Sequence, residues 1–161
     1  MASPPRRPNY AFRIADSRHT ILDGTGAFLK GGRWNSPGRR IIYAAGTLAG
    51  AILESLVHTR IGKIPRTQRW IEITIPKTAS YHHVSPHQLP GWNADSSLPA
   101  REFGDRWHQE QRSLLLIVPS VVLFGQGFNI LINQDHPEFQ TVKASEPREV
   151  LWDERLFDKH P

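Results

Sequence analysis

The chain of 161 residues contains no cysteine and a single methionine. Without thiols there is no disulfide framework and no thiolate metal site. No apolar run approaches the roughly 18 residues that a membrane-spanning helix requires, so no membrane association is expected. The opening segment Met1–Tyr10 carries Arg6 and Arg7 but no apolar stretch behind them, unlike a secretory signal. A reducing, cytoplasmic setting is expected. A surplus of charge is missing too: 39% of residues are apolar and 22% charged, a globular rather than a disordered balance. The length suffices for one core. Residues 1–9, rich in proline and arginine, read as a flexible tail, and 10–161 as a single domain. The net charge of +5 suits an anionic ligand or an acidic partner. A nucleic-acid-binding module or ribonuclease also suits it, but the basic residues are dispersed and no RNP, helix-turn-helix or zinc pattern is visible.

Alternation marks the strands. Tyr10, Phe12 and Ile14 share one face, and Arg13 stands between Ala11 and Ala15 on the other. Residues 41–45 form a short strand, and Trp70–Ile75 alternates strictly up to Pro76. Leu114–Val118 is continuously apolar, as in a strand buried on both faces. Strands are also expected at 128–132 and from 149 to 152. Thr47 can cap a helix reaching about Arg60, with Gly62 as its stop. The stretch from Gly24 to Gly38 reads as a glycine-rich loop, and 77–110 as loop with a short helix near 100–111. Many short strands and one firm early helix predict an α+β sheet domain.

The helix after Thr47 is apolar nearly all round, so it is expected to be largely buried. Glu54 is its only ionisable group before His58. A carboxylate there is paired with one of the 20 basic residues, sits at an exposed edge, or lines a cavity, because desolvating it alone is costly. Gly31-Gly32 allows close backbone approach to a ligand. The planar fork of Arg33 suits a pyrophosphate or carboxylate, although a surface turn has the same composition. Tyr43 reads as a core aromatic with a wet hydroxyl. Ser120 follows a buried strand and can reach a cleft, but it lacks the Gly-x-Ser-x-Gly elbow of a hydrolase nucleophile. Arg13 is a phosphate partner or a surface arginine, and Asn133 bonds a ligand or a loop. His82, His83 and His87 lack a carboxylate or thiolate at metal-ligand spacing. The five tryptophans read as core or cleft wall, with Trp34 the nearest to a ligand.

Together these residues resemble the RES-domain family, named for its Arg, Glu and Ser. The resemblance rests on Gly24-Thr25-Gly26-Ala27, Gly31-Gly32-Arg33-Trp34-Asn35, Tyr43, Glu54 and Val118-Pro119-Ser120. It continues through Gly104–Trp107, Asn129–Asn133, His136–Phe139 and Arg155-Leu156, covering Tyr10 to Phe157. Gln134 departs from the family's proline and affects only a local turn.

The resemblance implies a split β-sheet core with flanking helices, similar to ADP-ribosyltransferases, with NAD⁺ in the cleft as substrate and no further cofactor or metal. It implies a type II toxin whose Arg33, Tyr43, Glu54 and Ser120 act in cleavage of the nicotinamide–ribose bond. Arg13, Gly32, Arg33, Trp34, Asn35, Tyr43 and Asn133 are the expected NAD⁺-binding set. The outcome would be NAD⁺ depletion by hydrolysis or phosphorolysis, with growth arrest, or mono-ADP-ribosylation of a protein. The implied partner is an Xre-like, helix-turn-helix antitoxin covering the cleft, with a homodimer as a further possibility within that complex and no direct nucleic-acid contact.

Overall fold

A computed structural model describes residues 5–58 and 65–157. Eight strands form one sheet: β1 (Tyr10–Asp16), β2 (Ile41–Ala45), β3 (Gln68–Thr74), β4 (Tyr81–His83), β5 (Leu115–Pro119), β6 (Phe128–Asn133), β7 (Lys143–Ala144) and β8 (Arg148–Glu149). Three α-helices accompany them: α1 (Thr25–Lys30), α2 (Leu48–His58) and α3 (Leu98–Gln109). The strand order is β4-β5-β6-β2-β1-β3-β7, with β8 also paired to β3. Only β4 and β5 run parallel, joined through α3. This is the α+β split-sheet architecture expected. No described helix is long and apolar enough to cross a membrane.

Period-two alternation divides the apolar residues between two cores. Ile42, Ile73, Leu115, Ile130 and Ile132 pack on one face. Ile41, Leu116, Val118 and Leu131 pack on the other, with Trp34 and the α3 residue Trp107. With both faces covered, β5 is buried at every position, as its unbroken apolar run requires.

Several elements differ from expectation for local physical reasons. The sequence left open which face of β1 is covered, and the alanine side is the inner one: Ala11 is buried in the same core as Ile21, and Tyr10 is half exposed. Small side chains there let the segment after β1 fold back closely. The glycine-rich stretch contains α1, where Phe28 lies under the Arg40 guanidinium at 4.6 Å. The segment read as loop before α3 contains β4, a polar edge strand. The expected last strand is reduced to Arg148–Glu149. Thr47 does cap α2, its Oγ1 accepting the Gly50 N–H at 2.9 Å; the expected extension to Arg60 and stop at Gly62 lie outside the described residues. The reading of α2 as largely buried is corrected. Ala51 alone is buried, whereas Leu53 and Val57 are exposed, because the helix packs on β1 and β2 with one side.

Helix α3 presses directly on the Gly31–Asn35 loop. A Cβ at Gly104 would stand 1.8 Å from the Trp34 carbonyl oxygen, so only glycine admits this contact. Gly104→Ala should destabilise the fold by about 2 kcal/mol, its overpacking cost exceeding the roughly 1 kcal/mol of helix propensity that alanine adds. Thermal melting should fall by roughly 4–8 °C. An unchanged melting temperature would mean that α3 can retreat from the loop freely.

Candidate functional site

A cleft of about 780 Å³ opens where β2 meets β1, with α2 along one side and the Gly31–Trp34 loop along the other. Its size falls within the roughly 300–1,000 Å³ typical of small-molecule sites. Arg13, Lys30, Arg33 and Arg101 line it, and Glu54 is the only carboxylate among the described lining residues.

The loop is built from Tyr43 upward. The Tyr43 hydroxyl donates to Asn35 Oδ1 at 2.6 Å and accepts from the Trp34 N–H at 3.1 Å. A Cβ at Gly32 would lie 2.6 Å from that hydroxyl, so glycine lets the phenol pass beneath the loop. Asn35 is fully buried and donates to the carbonyls of Ala27 and Ser36. From α3, Asp105 accepts from the Ser36 N–H at 2.8 Å and hydroxyl at 2.6 Å, and pairs with Arg39. The loop thus presents Arg33 with little freedom. Nη1 of Arg33 donates to the Ala94 carbonyl at 2.9 Å and more weakly to that of Trp92 at 3.4 Å. No carboxylate pairs with Arg33 among the described residues.

Opposite stands Glu54. Its Oε1 accepts from Ser120 Oγ at 2.9 Å and Asn129 Nδ2 at 2.8 Å. Both donors converge on one oxygen, and Oε2 receives none among the described residues. The carboxylate is therefore oriented, with one acceptor left for a ligand.

The structure brings Arg13, Gly32, Arg33, Trp34, Tyr43 and Glu54 to one cleft. It sets three expected residues behind or away from it. Ser120 is fully buried, lines a smaller cavity behind Glu54, and accepts the Leu123 N–H through Oγ. Asn35 acts through Tyr43 and the loop backbone. Asn133, expected to bind ligand, lies at the far end of β6, buried, with Oδ1 accepting the Asp135 N–H at 3.0 Å. It does not line the cleft, because Asn129 occupies the cleft end of the same strand. Arg13 is not a surface arginine: it is part-buried at the cleft and already engaged with backbone carbonyls. Nε, Nη1 and Nη2 donate to the carbonyls of Ile21, Tyr43 and Asp23. Burial lowers its pKa, opposed by the negative charge of Asp23. Asn129 and Asp105 are positioning residues to which the sequence reading gave no role, although both lie in motif blocks that carry the family resemblance. His82 and His83 lie on β4, and no group of three metal-binding side chains forms among the described residues.

Burial pushes the Tyr43 phenol well above its ordinary value of 10.0, opposed mainly by the Trp34 N–H. The folded state therefore holds its proton more tightly than the unfolded chain. The resulting stability is intact below about pH 10 and declines above it, as the unfolded tyrosine ionises. Tyr43→Phe should cost roughly 2 kcal/mol at pH 8 by stranding Asn35 Oδ1 and the Trp34 N–H. Urea unfolding of both proteins at pH 8 and 11 should show that difference shrinking; a constant difference would contradict the assignment.

A family model described as the RES domain matches residues 10–153. The "Prs ADP-ribosylating toxin" of a Sphingobium species is 40% identical over 156 residues, covering 92% of this chain and 96% of the relative. A "Toxin Res" of Pseudomonas putida is 38% identical over 143 residues, covering 88% and 96%. Among solved structures, the Mycobacterium tuberculosis MbcT-MbcA toxin-antitoxin complex contains a chain that matches with a TM-score of 0.70 at 16% identity, covering 88% of this chain and 84% of that one. That last likeness is one of fold. With the family model spanning nearly the whole sheet and both walls of the cleft, the chain belongs to the RES-domain family of toxins.

Proposed function

We propose that this chain is the toxin of a toxin–antitoxin pair and that it cleaves the nicotinamide–ribose bond of NAD⁺. The observation that carries the reading is Glu54, the only carboxylate among the described lining residues, oriented through one oxygen in a cleft where Arg13, Lys30, Arg33 and Arg101 supply the opposite charge. Breaking this bond builds positive charge on the ribose, as in glycoside cleavage. Nicotinamide is cationic while attached and leaves neutral, so no general acid is needed. The free oxygen of Glu54 bonds a ribose hydroxyl and stabilises the oxocarbenium-like centre. Arg33 holds the pyrophosphate and fixes the ribose against Glu54. The Tyr43 ring forms the floor, while its hydroxyl keeps the loop in place. Ser120 and Asn129 act through Glu54. NAD⁺ serves as substrate, with no separate cofactor, and the cytoplasmic pool is the target.

The acceptor is water or phosphate in this reading, which makes the outcome NAD⁺ depletion. A second reading, transfer of ADP-ribose to a protein, is favoured by the name of the Sphingobium relative. Both share the bond-breaking step and the same residues. The partner is a helix-turn-helix antitoxin of Xre-like type seated over the cleft; a toxin-antitoxin complex as structural neighbour supports such a partner.

Glu54→Gln keeps an oxygen for both donors while removing the charge. It should melt close to the parent and lose at least about 100-fold in NAD⁺ turnover. Arg33→Ala should raise KM for NAD⁺ by about tenfold or more. With NAD⁺ labelled in the adenylate half, free ADP-ribose or its phosphate marks degradation, and label on protein marks transfer. Undiminished turnover by Glu54→Gln would refute the mechanism.

A further inference from the structure

The cleft lies along the weakest seam of the sheet. Strand β1 pairs with β3 over its whole length, and β2 pairs with β6 over its whole length. Between β1 and β2 a single residue pair, Phe12 and Ala45, is in register. Two half-sheets therefore meet at one point, and the cleft opens beside it.

Arg13 crosses that seam. It is rooted in β1, and its Nη1 donates to the Tyr43 carbonyl of β2 at 2.7 Å. Nε reaches the Ile21 carbonyl at 2.8 Å, and Nη2 the Asp23 carbonyl at 3.4 Å. The donation to Tyr43 stands in for ladder bonds that the two strands do not form with each other, and the other two tie the segment after β1 to the same rigid fork. Helix α2 crosses the same seam from its own position. Glu54 bonds Asn129 and Ser120 on one half, and Ser55 Oγ bonds Gln68 Oε1 at 2.9 Å on the other. A wider seam would draw these anchors apart and shift Glu54 relative to the Arg33 loop, which stands on β2 through Tyr43.

We infer that Arg13 is a positioning residue that closes the β1–β2 seam and thereby sets the width of the cleft, without itself contacting the substrate. The substrate arm of the test rests on the NAD⁺ reading above; the structural arm does not. Arg13→Met removes the donors but keeps an unbranched side chain, and Arg13→Lys keeps the charge with a compact donor. Amide hydrogen exchange of the full chain should accelerate about tenfold in residues 10–16 and 41–45 of Arg13→Met, with 115–119 unchanged. KM for NAD⁺ should rise about tenfold while kcat changes less than about threefold, because binding energy is used to close the seam. Arg13→Lys should fall between this variant and the parent in both measurements. A raised KM without faster exchange would make Arg13 a direct ligand contact and overturn the inference. Faster exchange with an unchanged KM would leave it purely structural and overturn it equally. If Arg13→Met does not fold, Arg13→Lys is judged by the same two criteria. If the parent consumes no NAD⁺, the substrate reading fails, and exchange alone decides whether Arg13 closes the seam.

Discussion

A buried sheet tolerates almost no unpaired backbone polar groups, and this one is nearly severed between β1 and β2. The rest of the structure depends on how that break is managed. The Tyr43 carbonyl is satisfied by a guanidinium instead of a neighbouring strand. Helix α2 lies over both strands on either side of the break. The opening that remains is the cleft, so the site exists because the strands do not fully zip. Its walls belong to different half-sheets, with Gln68 on one and Asn129 on the other.

Rigidity across this opening comes from close packing of small groups. Gly104 brings α3 onto the Trp34 backbone, Asp105 ties Ser36, and Gly32 admits the Tyr43 hydroxyl. Each contact acts on the loop carrying Arg33, none on the guanidinium itself. The cation is thus placed by its backbone, and its planar head is held by the Ala94 carbonyl. Glu54 is placed the other way, by side-chain donors on its head group. Preorganised charges of opposite sign need no large rearrangement when a dipolar ligand enters.

Much of this was legible in the residues. Alternation located β1 and β3, short apolar segments located β2 and β6, and the unbroken apolar run located β5, because period and burial are tightly coupled in strands. Glu54 stood out as an ionisable group on an apolar helix, and Arg33 as a cation flanked by paired glycines. The failures have equally local causes. Alternation does not say which face is covered, so Arg13 on the alanine side of β1 stayed open between a surface arginine and a ligand contact. Apolar residues around α2 implied burial, yet nothing in a single helix reveals what its far side faces. Glycines concealed α1, and polar edge composition concealed β4. Asn129 and Asn133 end the same strand with the same side chain; only their tertiary neighbours separate the residue that holds Glu54 from the one tied to a turn.

The hydrogen bonds to Glu54 span 66 and 75 residues of sequence. The chain must therefore be made beyond Asn129 before the carboxylate meets both donors. Incomplete chains, whether truncated or still emerging, carry Arg33 and Glu54 yet lack the strands that align them. Assembly of the charged centre waits on β5 and β6, which are made after the loop and α2.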